Sequence, residues 1–182
     1  MRSDAFGGTP RRELLARIER LHSELAAADM DGALILANTN LFYFTGAVSQ
    51  GCLLVSRKAP PIFFVRKNPE RARRDSELED IVRIAAFQDV PGILAGRGFG
   101  RIGRLGMELD VLPVNHYRRW REIMNPVEIV DVWPAIRQVR MIKSPHEVNI
   151  LRRAAVLADF MVNVARKNLR EGITDVELAA II

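Results

Sequence analysis

Chemistry in this sequence would have to come from three histidines, one cysteine, a glycine-rich turn and a cluster of asparagines among aromatics. His22, His116 and His146 fall on three separate helical segments. None has a second ligand four residues away, the spacing by which one helix presents two imidazoles to zinc. His116, near Glu108, Asp110 and Asn115, has the most polar surroundings and reads as a solvated histidine at a helix start. Cys52 lies in Gly51-Cys52-Leu53-Leu54-Val55 with no cation or imidazole beside it to stabilise a thiolate, so it reads as a small buried filler. As the lone cysteine it forms no intrachain disulfide. Gly98-Phe99-Gly100-Arg101-Ile102-Gly103 spells G-x-G-x-x-G, the loop that brings backbone amides to a pyrophosphate. That loop must follow a strand and open a helix, whereas here it follows a helical segment and runs into a strand. No G-x-S-x-G elbow, H-E-x-x-H pair or P-loop occurs. The residues offer no catalytic centre and no metal-ligand set.

Asn38-Thr39-Asn40-Leu41-Phe42-Tyr43-Phe44-Thr45-Gly46 is expected to be the turn after a strand. Its side chains could serve binding, as loop residues often do. Equally, the asparagines could bond backbone groups while Phe42 and Phe44 anchor the turn to a core. Both readings stay open at this level.

The elements around these residues follow from periodicity. Leu14, Ile18, Leu21, Leu25 and Ala28 recur at helical spacing, predicting a helix from Arg11 to Met30, started by Thr9-Pro10 and stopped by Asp31-Gly32. Ala33 to Ala37 is an apolar run of buried-strand type. Gly51 to Val55 and Ile62 to Val65 are two more, joined as a hairpin. Beyond them helices at 68–76, 90–95, 113–124 and 132–138 alternate with strands at 81–85, 104–108 and 127–130. Such alternation predicts an α/β fold, a mixed sheet with helices on both faces. Ser144-Pro145-His146-Glu147 and Thr174-Asp175-Val176-Glu177 each carry the hydroxyl and the glutamate three residues on that start a helix. The first launches a helix to Arg170 with Val148, Leu151, Ala155, Ala158, Val162 and Ala165 on one stripe. The second ends at Ile182 on apolar residues with no stop signal, and the chain reads as an N-terminal fragment. Residues 1–10 are expected to be a tail, 11–143 an α/β domain, and 144–182 the first helices of a further domain.

With 48% hydrophobic residues among 182, the chain can bury one good core. No apolar run approaches the roughly 20 residues that cross a bilayer, so no membrane role is expected and the cytoplasm is the expected compartment. A net charge of +5 with Arg71, Arg73, Arg74 and Arg118, Arg119, Arg121 invites a nucleic-acid reading. These arginines alternate with Glu70, Asp75, Glu77 and Glu122 as solvated helix faces do, and no aromatic ladder accompanies them. Nucleic acid is therefore not an expected partner.

Asn40-Leu41-Phe42-Tyr43-Phe44-Thr45-Gly46 resembles the N-x-x-Y-x-T-G turn of the creatinase, prolidase and aminopeptidase P family. Arg140-Met141-Ile142-Lys143-Ser144 with Glu147 resembles its R-x-I-K-S-x-x-E linker. Arg152, Ala154 and Ala155, then Gly172-Ile173-Thr174-Asp175-Val176-Glu177-Leu178, resemble the first helix of its catalytic domain and the G-x-T-E-x-E-L turn, with Asp175 for the commoner glutamate. The resemblance implies an N-terminal domain of ribonuclease H-like topology followed by a pita-bread domain. That second domain would bind two divalent metals, manganese, cobalt or zinc, through two aspartates, a histidine and two glutamates lying beyond Ile182. It implies Xaa-Pro dipeptidase or aminopeptidase activity for the whole protein, with no catalytic residue and no metal in this portion. It also implies a homodimer in which such a domain limits entry to short proline-containing peptides. Asn40, Tyr43 and Arg66 are the candidates for lining that cleft. Creatinase-type amidine hydrolysis, or a non-catalytic interaction module on the same architecture, are the alternatives.

Overall fold

A computed structural model of the chain describes residues 8–99, 102–125 and 127–182. Gly100 and Arg101 of the glycine-rich turn, and most of the expected 1–10 tail, lie outside the described residues. The chain divides into two compact units after Met141.

The first unit opens with α1 (Arg11–Ala27), whose Leu14, Ile18, Leu21 and Leu25 are all buried as their spacing requires. Asp29, at φ 52°, turns the chain out of the helix into β1 (Gly32–Ile35), an apolar strand buried on both faces. Next comes α2 (Asn38–Thr45), where the sequence predicted a turn. Its residues are mediocre helix formers, but Leu41 and Phe44 are one turn apart and both buried, so tertiary packing decides the local structure. The hairpin β2 (Gly51–Ser56) and β3 (Ala59–Val65) follows. Pro60 and Pro61 are tolerated in β3 because β4 pairs only from Phe63 onward, beyond both prolines.

The remaining elements are α3 (Pro69–Asp75), β4 (Ile81–Arg83), α4 (Asp89–Gly96), β5 (Arg104–Met107), α5 (Val114–Ile123), β6 (Glu128–Asp131) and α6 (Trp133–Met141). The strands form one mixed sheet in the order β4-β3-β2-β1-β5-β6. Strand β2 is antiparallel to both neighbours and every other pairing is parallel, so β1, β3, β4, β5 and β6 all end at one edge. One face is covered by α1, α2, α3 and α6 through Leu14, Leu21, Phe44, Ala72, Ile136 and Val139. The other is covered by α4 and α5 through Val90, Leu94 and Trp120. With right-handed crossovers, reversing direction along the sheet requires changing face. Helix α3 leads outward from β3, and α4 and α5 lead back across to β6 on the opposite face. Cys52 is fully buried in this second core, where desolvation pushes its thiol far above the ordinary range and makes it inert.

The second unit holds α7 (Pro145–Asn168) and α8 (Asp175–Ile181). Both predicted capping boxes are formed. The Ser144 Oγ accepts from the Glu147 amide at 3.1 Å while Glu147 Oε2 accepts from the Ser144 amide at 2.7 Å, and Thr174 with Glu177 repeats the exchange. Leu151, Phe160 and Val162 of α7 are more than half exposed. Because α7 has little packing of its own to fall back on, Ser144→Ala should cost about 1 kcal/mol of local helix stability. Faster hydrogen exchange at the first-turn amides would register it, and unchanged exchange would refute it.

Candidate functional site

Open α/β sheets gather function where parallel strands end. In this sheet β1 and β5 lie side by side, so Glu108, the residue after β5, comes level with Leu36 and Ala37 at the end of β1. Glu108 Oε2 accepts the Leu36 amide at 2.6 Å and the Ala37 amide at 2.8 Å. Its Oε1 accepts Asn40 Nδ2 at 2.6 Å. Asn40 in turn offers its Oδ1 to Arg140 Nη1 at 2.7 Å, across 100 residues of sequence. The amide orientation follows from partner chemistry: an ionised carboxylate only accepts and a guanidinium only donates, so Asn40 must turn its NH2 to one and its oxygen to the other.

The network continues through Tyr43. The Arg17 guanidinium sits 4.2 Å from that ring's centroid and donates to the Tyr43 carbonyl at 2.6 Å, and Arg140 lies 5.6 Å over the same ring. Buried Glu13 accepts Arg17 Nε at 3.1 Å, holding the cation in place. Helices α1, α2 and α6 and the ends of β1 and β5 are thus fastened by one polar cluster.

Glu108 has no solvent exposure, and burial raises its pKa above the ordinary carboxylate range against the opposing pull of its three donors. Both of its oxygens are used, so it is not placed to act as a base or a ligand. Asn40 is 4% exposed with both ends of its amide engaged. Among the described residues, no group of three or more His, Cys, Asp or Glu is placed to hold a metal ion. A pair of divalent ions does not fit the described residues. His116 is exposed on α5, His22 stands on α1, and His146 stands on α7 of the second unit.

Of the three residues expected to line a cleft, Asn40 and Tyr43 come together in this cluster. Arg66 does not. It lies exposed past the end of β3, with its guanidinium 5.3 Å over the Phe87 ring. Sequence reasoning missed the centre of the cluster, Glu108, and the part played by Arg17. A lone acid directly after the buried run Leu105-Gly106-Met107 was the available signal, since a carboxylate in that position needs donors waiting for it.

The profile described as the creatinase/prolidase N-terminal domain matches residues 17–142. The chain belongs to that family. A putative dipeptidase of Bacillus subtilis (strain 168) is 29% identical over 176 residues, covering 90% of this chain and 48% of the relative. The Xaa-Pro dipeptidase from Bacillus anthracis superposes with a TM-score of 0.79 at 26% identity, over 92% of this chain and 47% of that one. The prolidase from Pyrococcus furiosus gives 0.76 at 25% identity, over 90% and 50%. The chain spans about half the length of each of these three proteins.

Each letter of the N-x-x-Y-x-T-G motif has a physical task here. Asn40 joins Glu108 to Arg140, and Tyr43 lies under two guanidiniums. Thr45 Oγ1 donates to the Leu41 carbonyl at 2.7 Å and accepts the Ala47 amide at 3.1 Å. Gly46 closes α2 at φ 73°, where any side chain would be strained. The arginine of the second motif is the one bonded to the asparagine of the first. Two creatinase/prolidase signatures remote in sequence are one contact in space.

Proposed function

We propose that these residues serve as the non-catalytic N-terminal domain of a metal-dependent Xaa-Pro peptidase, dipeptidase or aminopeptidase P-like, acting as a homodimer in the cytoplasm. The observation that carries this reading is the Asn40–Arg140 contact. It fulfils both family motifs at once, on a fold shared with an Xaa-Pro dipeptidase and a prolidase. In this reading the two divalent ions, manganese, cobalt or zinc, belong to residues this chain does not contain. When bound, such ions supply a hydroxide nucleophile and polarise the scissile carbonyl. This domain restricts access, so that short proline-containing peptides enter and folded chains do not. Asn40 and Tyr43 support the wall of that entrance from behind, and Arg66 is the one of the three that faces solvent.

Hydrolysis of Xaa-Pro dipeptides with added manganese tests the proposal, comparing the 182-residue chain with the complete gene product. The expected result is turnover by the complete protein and none above the peptide blank by this chain. Turnover by the chain alone would overturn the non-catalytic assignment. A complete protein that cleaves no Xaa-Pro bond would overturn the peptidase reading in favour of creatinase-type amidine hydrolysis or an interaction module.

A further inference from the structure

The edge at which the parallel strands end carries a second feature, on the far side of the sheet from β5. Strands β3 and β4 are parallel with Val65 opposite Arg83, so Arg66 and Lys67, which follow β3, and Arg83, at the end of β4, leave the sheet side by side. The crossover helix α3 adds Arg71 and Arg74, one turn apart on one face. Together with Asn68 and Glu70 these residues line an open cleft of about 650 Å³.

The local acids are already committed. Glu70 pairs with Arg73 at 2.7 Å and Asp75 with Arg71 at 3.2 Å. Among the described residues, Arg66, Lys67, Arg74 and Arg83 are left with no carboxylate partner, in a chain whose whole net charge is +5. Arg66 is also held in place, its guanidinium resting against Phe87. On the charged helix face expected from the sequence, Arg71 and Arg73 are internally neutralised, whereas Arg74 joins three other cations from neighbouring strand ends. Like charges gathered within a Debye length of roughly 8–10 Å repel one another, and a multiply charged anion relieves all of those repulsions together.

We propose that this cleft binds a small polyanion, an oligophosphate or a polycarboxylate, through Arg66, Lys67, Arg74 and Arg83. Its volume lies within the roughly 300–1,000 Å³ of small-molecule sites. Three guanidinium forks and an ammonium suit the planar, bidentate oxygens of phosphate and carboxylate. Among the described residues no lining side chain is aromatic, so they offer no stacking platform of the kind a single-stranded nucleic-acid site uses. The lining also presents no leucine, isoleucine or phenylalanine for an acyl chain. The inference does not depend on the peptidase reading.

Calorimetric titration of the 182-residue chain at low salt tests it, with sodium tripolyphosphate and citrate as probes and orthophosphate for comparison. One polyanion should bind with saturable 1:1 stoichiometry about tenfold or more tighter than orthophosphate, and which one wins separates phosphate from carboxylate recognition. Arg74→Ala with Arg83→Ala should weaken it about 100-fold, since each charged hydrogen bond lost is worth about tenfold. Removing equal charge from α5 by Arg118→Ala with Arg121→Ala, neither of which lines the cleft, should change Kd by no more than about threefold. Both pairs are exposed, and circular dichroism of the variants verifies that they fold. Equal weakening by the two pairs, polyanions no tighter than orthophosphate, or affinity that keeps climbing with polyanion length would each overturn the proposal.

Discussion

Replacing Glu108 by alanine is expected to cost about 3 kcal/mol of folding stability, a large share of the total for a domain of this size. The loss comes from what remains behind. The Leu36 and Ala37 amides and Asn40 Nδ2 all point at the vacated space, and a buried donor without an acceptor costs more than its bond was worth. Glu108→Gln tests the same network more sharply. Its amide oxygen can satisfy the two backbone donors, but its NH2 then meets the Asn40 NH2. Asn40 can flip to accept, which turns its NH2 toward the Arg140 guanidinium. A donor–donor clash therefore survives in every arrangement, and the near-isosteric variant should lose close to as much as alanine. Urea denaturation measures both, and a neutral Glu108→Gln would show that the carboxylate is not the keystone described. The pH dependence has a definite sign. Because burial raises the folded-state pKa, the folded protein binds the Glu108 proton more tightly than the unfolded one. This contribution is fully present below the ordinary glutamate value, about 4.3, and is lost as pH rises through the higher folded value. The Glu108→Ala variant should lack that segment of the stability curve.

This cluster shows where the sequence was legible and where it stopped being so. The amphipathic stripe of α1 and the apolar runs of β1, β2, β3 and β5 are local patterns, and each produced its element close to the expected boundaries. Both capping boxes were readable for the same reason, since their partners lie three residues apart. The segment 38–46 was not readable as a helix. What holds it is Glu108 and Arg140, 68 and 100 residues away from Asn40, and no periodicity within nine residues encodes a partner at such a distance. Motif resemblance supplied the right two segments without supplying their contact. The physical link, an asparagine that must donate on one side and accept on the other, required the sheet to set β5 beside β1. The basic cleft was hidden in another way. Arg71, Arg73 and Arg74 look alike in the sequence, and only the pairing of Glu70 and Asp75 distinguishes the neutralised arginines from the one left facing Arg83.

Glycine substitutions carry the second large effect, because the same chemical change should act with opposite sign at two positions. Gly51 opens β2 opposite Val65, and a Cβ built there would lie 1.9 Å from the Phe64 carbonyl oxygen and 3.2 Å from the Val65 Cα. Both obstacles are backbone atoms of the neighbouring strand, so no side chain can swing aside. Gly51→Ala must spread β2 from β3 at a pair in the middle of the sheet, beside the fully buried Cys52 and Phe64, and should cost about 3 kcal/mol. Gly92, inside α4, has nothing within 4 Å of the corresponding position. There alanine removes unfolded-state entropy and meets no obstacle, so Gly92→Ala should stabilise by about 0.5–1 kcal/mol. Paired thermal melts decide the matter: the first variant should fall well below the parent and the second rise above it. A Gly51→Ala variant that melts with the parent would mean that the β2–β3 pairing yields to a methyl group.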